Sequence, residues 1–408
     1  MIRPLLRTLS CLLLLGSTYA IGAQNMSIKN FIFGHSLLDH RPPAIPTPSD
    51  ETTVPHWLYL LAEAAGHDYS VAGQYGFLPQ HANLPPFSQW GYDLVPPAWE
   101  SDLEPFSAAD FSTILLTAGN FMQWQGPAEP YPGEDGVLSP ITATEAIVDW
   151  VRQEEDTVAV YIYENWPDMA PYLNGNFPPE VSAFANYNDY TRGAFHDWWI
   201  DYQDALLAAR PAARIRMIPV GPIIADLLSV APLNSIPLGE LYEDDAPHGR
   251  ASLYFLASLV TYMAIYAEEA PANFVPPAIV HELITNNYAQ LVGEIWAALL
   301  AFNTDENDSR VFFSTPTSTA TSAIHSAEEW RVFPNPVGEY FTLLGPEEIS
   351  GPLELSLLDI HGRLLWQNQV IAVDRNLIKR EAAWTAGRYS LKIRDRNGRE
   401  VYKTLIFQ

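Results

Sequence analysis

Three short runs hold side chains that could carry out chemistry together. In Phe33-Gly34-His35-Ser36-Leu37, a serine follows an apolar run and a glycine. A tight turn there would expose the serine oxygen at the end of a strand and aim the next backbone N–H groups at an oxyanion. In Tyr242-Glu243-Asp244-Asp245-Ala246-Pro247-His248-Gly249, Asp245 precedes His248 by three positions and Pro247 stiffens the loop. A carboxylate at Asp245 can fold back onto the imidazole Nδ1 and leave Nε2 free to take a proton from the serine. In Thr117-Ala118-Gly119-Asn120, the Asn120 amide is placed to donate to a developing negative charge. The chemistry implied is nucleophilic attack on a carbonyl carbon, with no cofactor.

Other histidines compete for the base. His35 adjoins Ser36 and should point away from it, and His40, His56, His67 and His81 lack an aspartate in the right register. No histidine pair has a zinc-like spacing on one helix, so no metal is expected. Glu164 and Trp166, in Tyr163-Glu164-Asn165-Trp166-Pro167, read as a structural loop, with a cleft-lining role the competing view. Trp90, Trp99, Trp124, Trp198 and Trp199 offer ring-stacking faces, though most suit a core or a cleft wall.

These residues need elements to hold them. Apolar runs at Asn30–Phe33, Asp68–Ala72, Phe111–Ala118, Thr157–Tyr163 and Arg214–Val220 predict strands. Helical patterns at Pro55–Ala65, Thr142–Arg152 (capped by Thr142 or Thr144), Trp198–Ala209, Arg250–Ala267 and Ala289–Phe302 alternate with them. Strand and helix in alternation predict a parallel sheet with helices on both faces, a three-layer α/β/α fold. Ligands of such sheets bind at the carboxyl ends of the strands, where all three runs fall.

Taken in order, the runs resemble the SGNH (GDSL-like) hydrolase family over about residues 28–302. The first block is similar to Gly34-His35-Ser36-Leu37, which implies Ser36 as nucleophile. The second resembles Gly73-Gln74-Tyr75-Gly76, which implies the Gly76 N–H as an oxyanion donor, with Gly73 the alternative. The third resembles Gly119-Asn120, implying Asn120 as the side-chain donor. The last is similar to Asp245-Ala246-Pro247-His248, implying Asp245 as acid and His248 as base. The sequence departs from the family pattern in several places. His35 stands where an acidic residue is common, Val71 where the second block has an asparagine, and Gly119 abuts Asn120 directly. The resemblance implies a flavodoxin-like fold and ester hydrolysis through an acyl-serine, with acylated polysaccharide or a small ester as substrate. A lipase-like esterase or thioesterase, and a non-catalytic glycan-binding surface protein, are the competing expectations.

The flanks address the chain elsewhere. Arg3 and Arg7, the apolar run Leu12–Leu15 and the small residues up to Ala20 and Ala23 read as a secretory signal peptide over residues 1–23. The run is too short to span a bilayer, and no later stretch predicts a transmembrane helix. The single cysteine, Cys11, lies in that leader, so no disulfide is expected in the mature chain. Residues 304–328, rich in Ser, Thr, Asn and Asp, read as a linker between a catalytic domain at 24–303 and a small all-β sandwich at 329–408. Alternating runs at Leu353–Leu358, Tyr389–Ile393 and Glu400–Ile406 predict its strands.

Charge divides at the same place. The chain carries 22 Lys and Arg against 48 Asp and Glu. Residues 327–408 hold 11 of each sign and the leader two arginines, which leaves 9 basic against 37 acidic residues in 24–326. So acidic a unit repels nucleic acid and anionic polymers, and neutral substrates suit it better, with solubility alone an equally good reason for the charge. The tail motifs Val332-Phe333-Pro334-Asn335-Pro336-Val337, Leu357-Leu358-Asp359-Ile360-His361-Gly362-Arg363 and Ala386-Gly387-Arg388-Tyr389 resemble the type IX secretion C-terminal sorting domain of Bacteroidetes. That resemblance implies the type IX machinery as a partner and export across the outer membrane to the cell surface or the medium.

Overall fold

The computed structural model describes residues 25–40, 53–89, 92, 94–119, 125–132, 138–173, 176–303 and 310–313 of the first unit. In the tail it describes 331–333, 337–338, 340–344, 351–358, 363–372, 376–381, 384–394 and 400–407. The expected leader and most of the expected linker lie outside the described residues. The chain divides into two compact units, Met1–Thr317 and Ser318–Gln408.

The first unit is built on five parallel strands: β1 (Ser27–Gly34), β2 (Asp68–Tyr75), β3 (Thr113–Leu116), β4 (Ala159–Tyr163) and β5 (Arg216–Ile218). Their order across the sheet is β2-β1-β3-β4-β5. This is the doubly wound, flavodoxin-like arrangement, whose topological switch falls between β1 and β3. The strands carry near-continuous apolar runs because both faces are covered. On β1, Ile32 faces a core shared with Trp57, Leu58 and Leu61 of the helix Val54–Ala65 and with the helix Ala251–Tyr266. Its neighbours Phe31 and Phe33 face the opposite core, with Ile147 and Val151 of the helix Pro140–Glu154 and Trp199 of His196–Ala209. A strand's period of two thus splits one apolar run between two layers of helices.

The helix Ala251–Tyr266 is buried on every face, and its apolar residues run all the way round. No helix among the described residues is long and apolar enough to cross a membrane.

Element bounds follow local chemistry. The helix Pro140–Glu154 starts two residues before the expected point because Ser139, not Thr142 or Thr144, caps it by accepting the Thr142 N–H, with Pro140 in the first turn. The expected strand Arg214–Val220 is cut to Arg216–Ile218, because Val220 opens a helix, Val220–Ser229. Gly221 allows this close junction: a Cβ there would lie 2.5 Å from the Asn165 carbonyl oxygen.

The second unit is all-β. Its strands are β6 (Arg331–Phe333), β7 (Tyr340–Leu344), β8 (Gly351–Leu358), β9 (Leu364–Ala372), β10 (Asn376–Lys379), β11 (Gly387–Arg394) and β12 (Glu400–Phe407). They form sheets ordered β10-β7-β6 and β12-β11-β8-β9, with a core that includes Phe341, Leu355, Leu391 and Phe407.

Candidate active site

Ser36 sits two residues past β1, at the carboxyl edge of the sheet beside the switch point. The chain turns sharply there. The His35 carbonyl accepts the Leu38 N–H at 2.9 Å and the Asp39 N–H at 3.4 Å, which leaves Ser36 at the head of the turn and half-buried. The same two bonds polarise the His35–Ser36 peptide, whose N–H belongs to Ser36. Among the described residues that N–H carries no hydrogen bond, so it remains available to an oxyanion.

His248 reaches the serine from the other end of the unit. The Ser36 hydroxyl donates to its Nε2 at 2.8 Å. Its Nδ1–H donates to Asp244 Oδ2 at 2.7 Å. The acid on the imidazole is therefore Asp244, not the expected Asp245. Asp244 Oδ1 also accepts the Ala246 and His248 backbone N–H groups, both at 3.1 Å, so the carboxylate is fixed from three directions. Burial raises the Asp244 pKa, but the hydrogen bonds and charge of His248 and the Ala246 N–H outweigh it and hold it below the ordinary value. The Asp245 side chain is exposed, and its carbonyl accepts the Met169 N–H at 3.0 Å.

The loop bearing His248 is tied to the sheet edge by a chain of bonds. Thr117, just past β3, donates its N–H to the Phe33 carbonyl and its hydroxyl to Asn165 Oδ1 at 2.6 Å. Trp166 donates its indole N–H to the Pro247 carbonyl at 2.9 Å. Trp166 is therefore buried scaffold under the base, as the structural-loop view has it, rather than a cleft wall. Glu164 is fully buried as well, and its Oε1 accepts from His196 Nδ1 at 2.8 Å. Trp99, Trp198 and Trp199 are buried, which removes them as stacking faces; Trp90 and Trp124 lie outside the described residues.

The two oxyanion expectations fare differently. Asn120 lies outside the described residues. Gly76 is corrected: its N–H donates to the Gly34 carbonyl at 2.9 Å, because the β1–β2 ladder continues one residue beyond the Gly34–Tyr75 pair. The Gly76 carbonyl is held by His81 Nε2 at 2.9 Å. The alternative, Gly73, lies inside β2 opposite Ile32. Burial lowers the pKa of His81 to about 4 and that of His35 to about 3, which keeps both rings neutral.

One contact had no counterpart in the sequence argument. The His40 ring stacks on His248, with centroids 3.6 Å apart and planes 10° from parallel. The signal available was the spacing, since His40 follows Ser36 by one helical turn. His40, Asp244 and His248 bring possible ligand atoms within 4.8 Å of one another. Ring lone pairs lie in the ring planes, however, and near-parallel stacked rings cannot aim them at one ion. Both His248 nitrogens are also engaged.

Beside Asp244 opens a cleft of about 480 Å³, lined by Ala170, Leu173, Phe177, Glu243, Asp244 and Asp245. Its lining combines three apolar side chains with three carboxylates.

The Glu164–His196 pair yields a test of its own. Burial, opposed by His196, pushes the Glu164 carboxyl from 4.5 to about 7. Burial lowers the His196 pKa, but the Glu164 charge and hydrogen bond outweigh it and raise it overall. Both groups thus hold protons more tightly folded than unfolded. Their stabilising contribution is full below their unfolded values and is lost as the pH rises through the folded ones. In urea unfolding at a series of pH values, the stability of the wild type relative to Glu164→Gln should fall by on the order of 2–3 kcal/mol between about pH 4.5 and 7. A difference independent of pH would reject the pair as a proton holder.

Comparison with known proteins places the tail. Residues 331–408 match the family described as Secretion system C-terminal sorting domain. The chain thus carries a sorting domain for export to the cell surface or the extracellular space. No curated protein matches the chain. Among solved structures it is similar to LAE5, an alpha/beta hydrolase enzyme from the metagenome of Lake Arreo, Spain. That match has 11% identity over 58% of this chain and 94% of the other, with a TM-score of 0.35. It is also similar to Axe2, an acetylxylan esterase from Geobacillus stearothermophilus, here as a catalytic mutant. Identity there is 12% over 58% of this chain and 94% of the other, with a TM-score of 0.33.

Proposed function

We propose that this exported chain is a serine esterase of the SGNH type, cleaving carboxylic esters through an acyl-serine intermediate. The observation that carries the reading is the unbroken line of hydrogen bonds from Ser36 through His248 to Asp244. Ser36 Oγ attacks the ester carbonyl carbon as its proton passes to His248 Nε2. The imidazolium so formed is stabilised by Asp244, and the tetrahedral oxyanion by the Ser36 N–H. Asn120 is the side-chain donor we assign alongside it. His248 then returns the proton to the departing alkoxide, leaving acyl-Ser36. Water, deprotonated by the same nitrogen, attacks the acyl group and frees the acid.

The stacked His40 covers one face of the base, and the carboxylates lining the cleft disfavour anionic alcohols. We take the substrate to be a neutral ester with a short acyl group, acetylated polysaccharide included. A long acyl tunnel would gain about 0.8 kcal/mol for each buried methylene, whereas only Ala170, Leu173 and Phe177 give the cleft beside Asp244 an apolar lining.

The test is reaction of the purified chain with a fluorophosphonate probe, followed by p-nitrophenyl esters from acetate to dodecanoate. The expected results are stoichiometric labelling at Ser36 and a rate that declines beyond butyrate. An unlabelled, properly folded protein would overturn the enzyme reading in favour of a glycan-binding one. Rates that climb steadily with chain length would favour a lipase-like enzyme.

A further inference from the structure

Ser36 and His248 belong to loops far apart in sequence, and their hydrogen bond requires both loops to be held to a few tenths of an ångström. One buried side chain touches both. The hydroxyl of Tyr254, in the first turn of Ala251–Tyr266, donates to the Ser36 carbonyl oxygen at 2.6 Å. The backbone N–H of Gly249, the residue after His248, faces the Tyr254 hydroxyl oxygen and favours its negative charge. The Tyr254 ring is fully buried and stands where a Gly249 side chain would be: a Cβ there would lie 3.0–3.1 Å from three ring atoms. Glycine at this position makes room for the ring, and the ring brings its hydroxyl between the two loops. Burial holds the phenol far above its ordinary pKa, so it remains a donor at every working pH.

We propose that Tyr254 is a positioning residue that sets the distance between nucleophile and base, by bridging the main chain of Ser36 to that of Gly249. The inference rests on the serine esterase reading. Without the hydroxyl, the half-buried Ser36 carbonyl loses its bond and the Gly249 main chain loses the polar atom it faces. Each then shifts towards another partner and carries Ser36 or His248 with it. The substrate-binding surface is untouched, so the loss should fall on turnover.

The experiment compares full-length wild type, Tyr254→Phe, Gly249→Ala and Tyr262→Phe, with thermal unfolding recorded for each. Tyr262 lies on the same helix, and its buried hydroxyl bonds Glu268 rather than the active site, so it controls for the structural cost of losing a hydroxyl. Tyr254→Phe should lower kcat on p-nitrophenyl acetate by about 10–100-fold with KM within about threefold, and slow fluorophosphonate labelling by a similar factor. Gly249→Ala, which keeps the hydroxyl but displaces the ring, should show the same split. Tyr262→Phe should retain kcat within about twofold even if its unfolding temperature drops. Wild-type kcat and labelling in Tyr254→Phe would overturn the role of Tyr254, as would an equal kcat loss in Tyr262→Phe. A wild type that fails to label would instead overturn the esterase reading beneath it.

Discussion

Replacing Ser36 with alanine is expected to abolish ester hydrolysis, lowering kcat by on the order of 10⁴-fold or more while leaving the fold unchanged. The side chain is half-buried at the head of a turn whose geometry is set by backbone bonds to the His35 carbonyl, and alanine preserves those bonds. What is lost is the atom that forms the covalent bond. His248 and the Ser36 N–H would still bind and polarise an ester, so a small residual rate over water is expected. Purified Ser36→Ala that turns over p-nitrophenyl acetate at the wild-type rate, or that still labels with fluorophosphonate, would refute the nucleophile.

The second large effect separates two adjacent carboxylates. Asp244→Ala should lower kcat by on the order of 10²–10⁴-fold, because the imidazole loses the acceptor that fixes its tautomer and steadies its charge. Asp244 also organises the loop through the Ala246 and His248 N–H groups, so Asp244→Asn, which keeps part of that bonding, should fold normally and remain impaired. Asp245→Ala should stay within about threefold, since the Asp245 carboxylate is exposed and contributes no bond to the base. Steady-state kinetics on one short ester decide it. If Asp245→Ala is the crippled variant and Asp244→Ala the mild one, the observed register does not describe the working enzyme.

That register shows where reading the sequence succeeds and where it stops. The meeting of Ser36 and His248 was legible because each stands in a run whose neighbours constrain the backbone: a glycine after an apolar strand for Ser36, a proline before His248. The choice between Asp244 and Asp245 was read from spacing alone, and spacing missed a rule of turns. An aspartate folds back by accepting the N–H two residues on. For Asp244 that residue is Ala246, whereas for Asp245 it is Pro247, which has no N–H to give. The proline that appeared to stiffen the loop for Asp245 in fact disqualifies it.

Gly76 failed for a different reason. Whether a strand-end N–H is free depends on how far the neighbouring ladder runs, and the β1–β2 pairing extends further than an apolar pattern ending at Ala72 suggested. The parallel sheet with helices on both faces was legible from alternation and apolar runs. The Tyr254 bridge and the His40 stack were not, because they join residues whose adjacency exists only after the chain has closed.

That late closure governs when the molecule can act. The bonded pair Ser36 and His248 lies 212 residues apart, and the loop of His248 leads directly into the wholly buried helix Ala251–Tyr266. Contacts of such long range carry a heavy loop-closure cost and form slowly, after local structure is in place. The helix cannot be buried until both the β1 region and the helix Val54–Ala65 are present to receive it. A chain synthesised from its amino end therefore lacks the Ser36–His248 pair until this helix has been made and buried. If the chain is the proposed esterase, its activity should appear only when the helix Ala251–Tyr266 docks and brings His248 to Ser36. Hydrolysis of a chromogenic ester would serve as a clock for folding, lagging behind every spectroscopic signal of secondary structure.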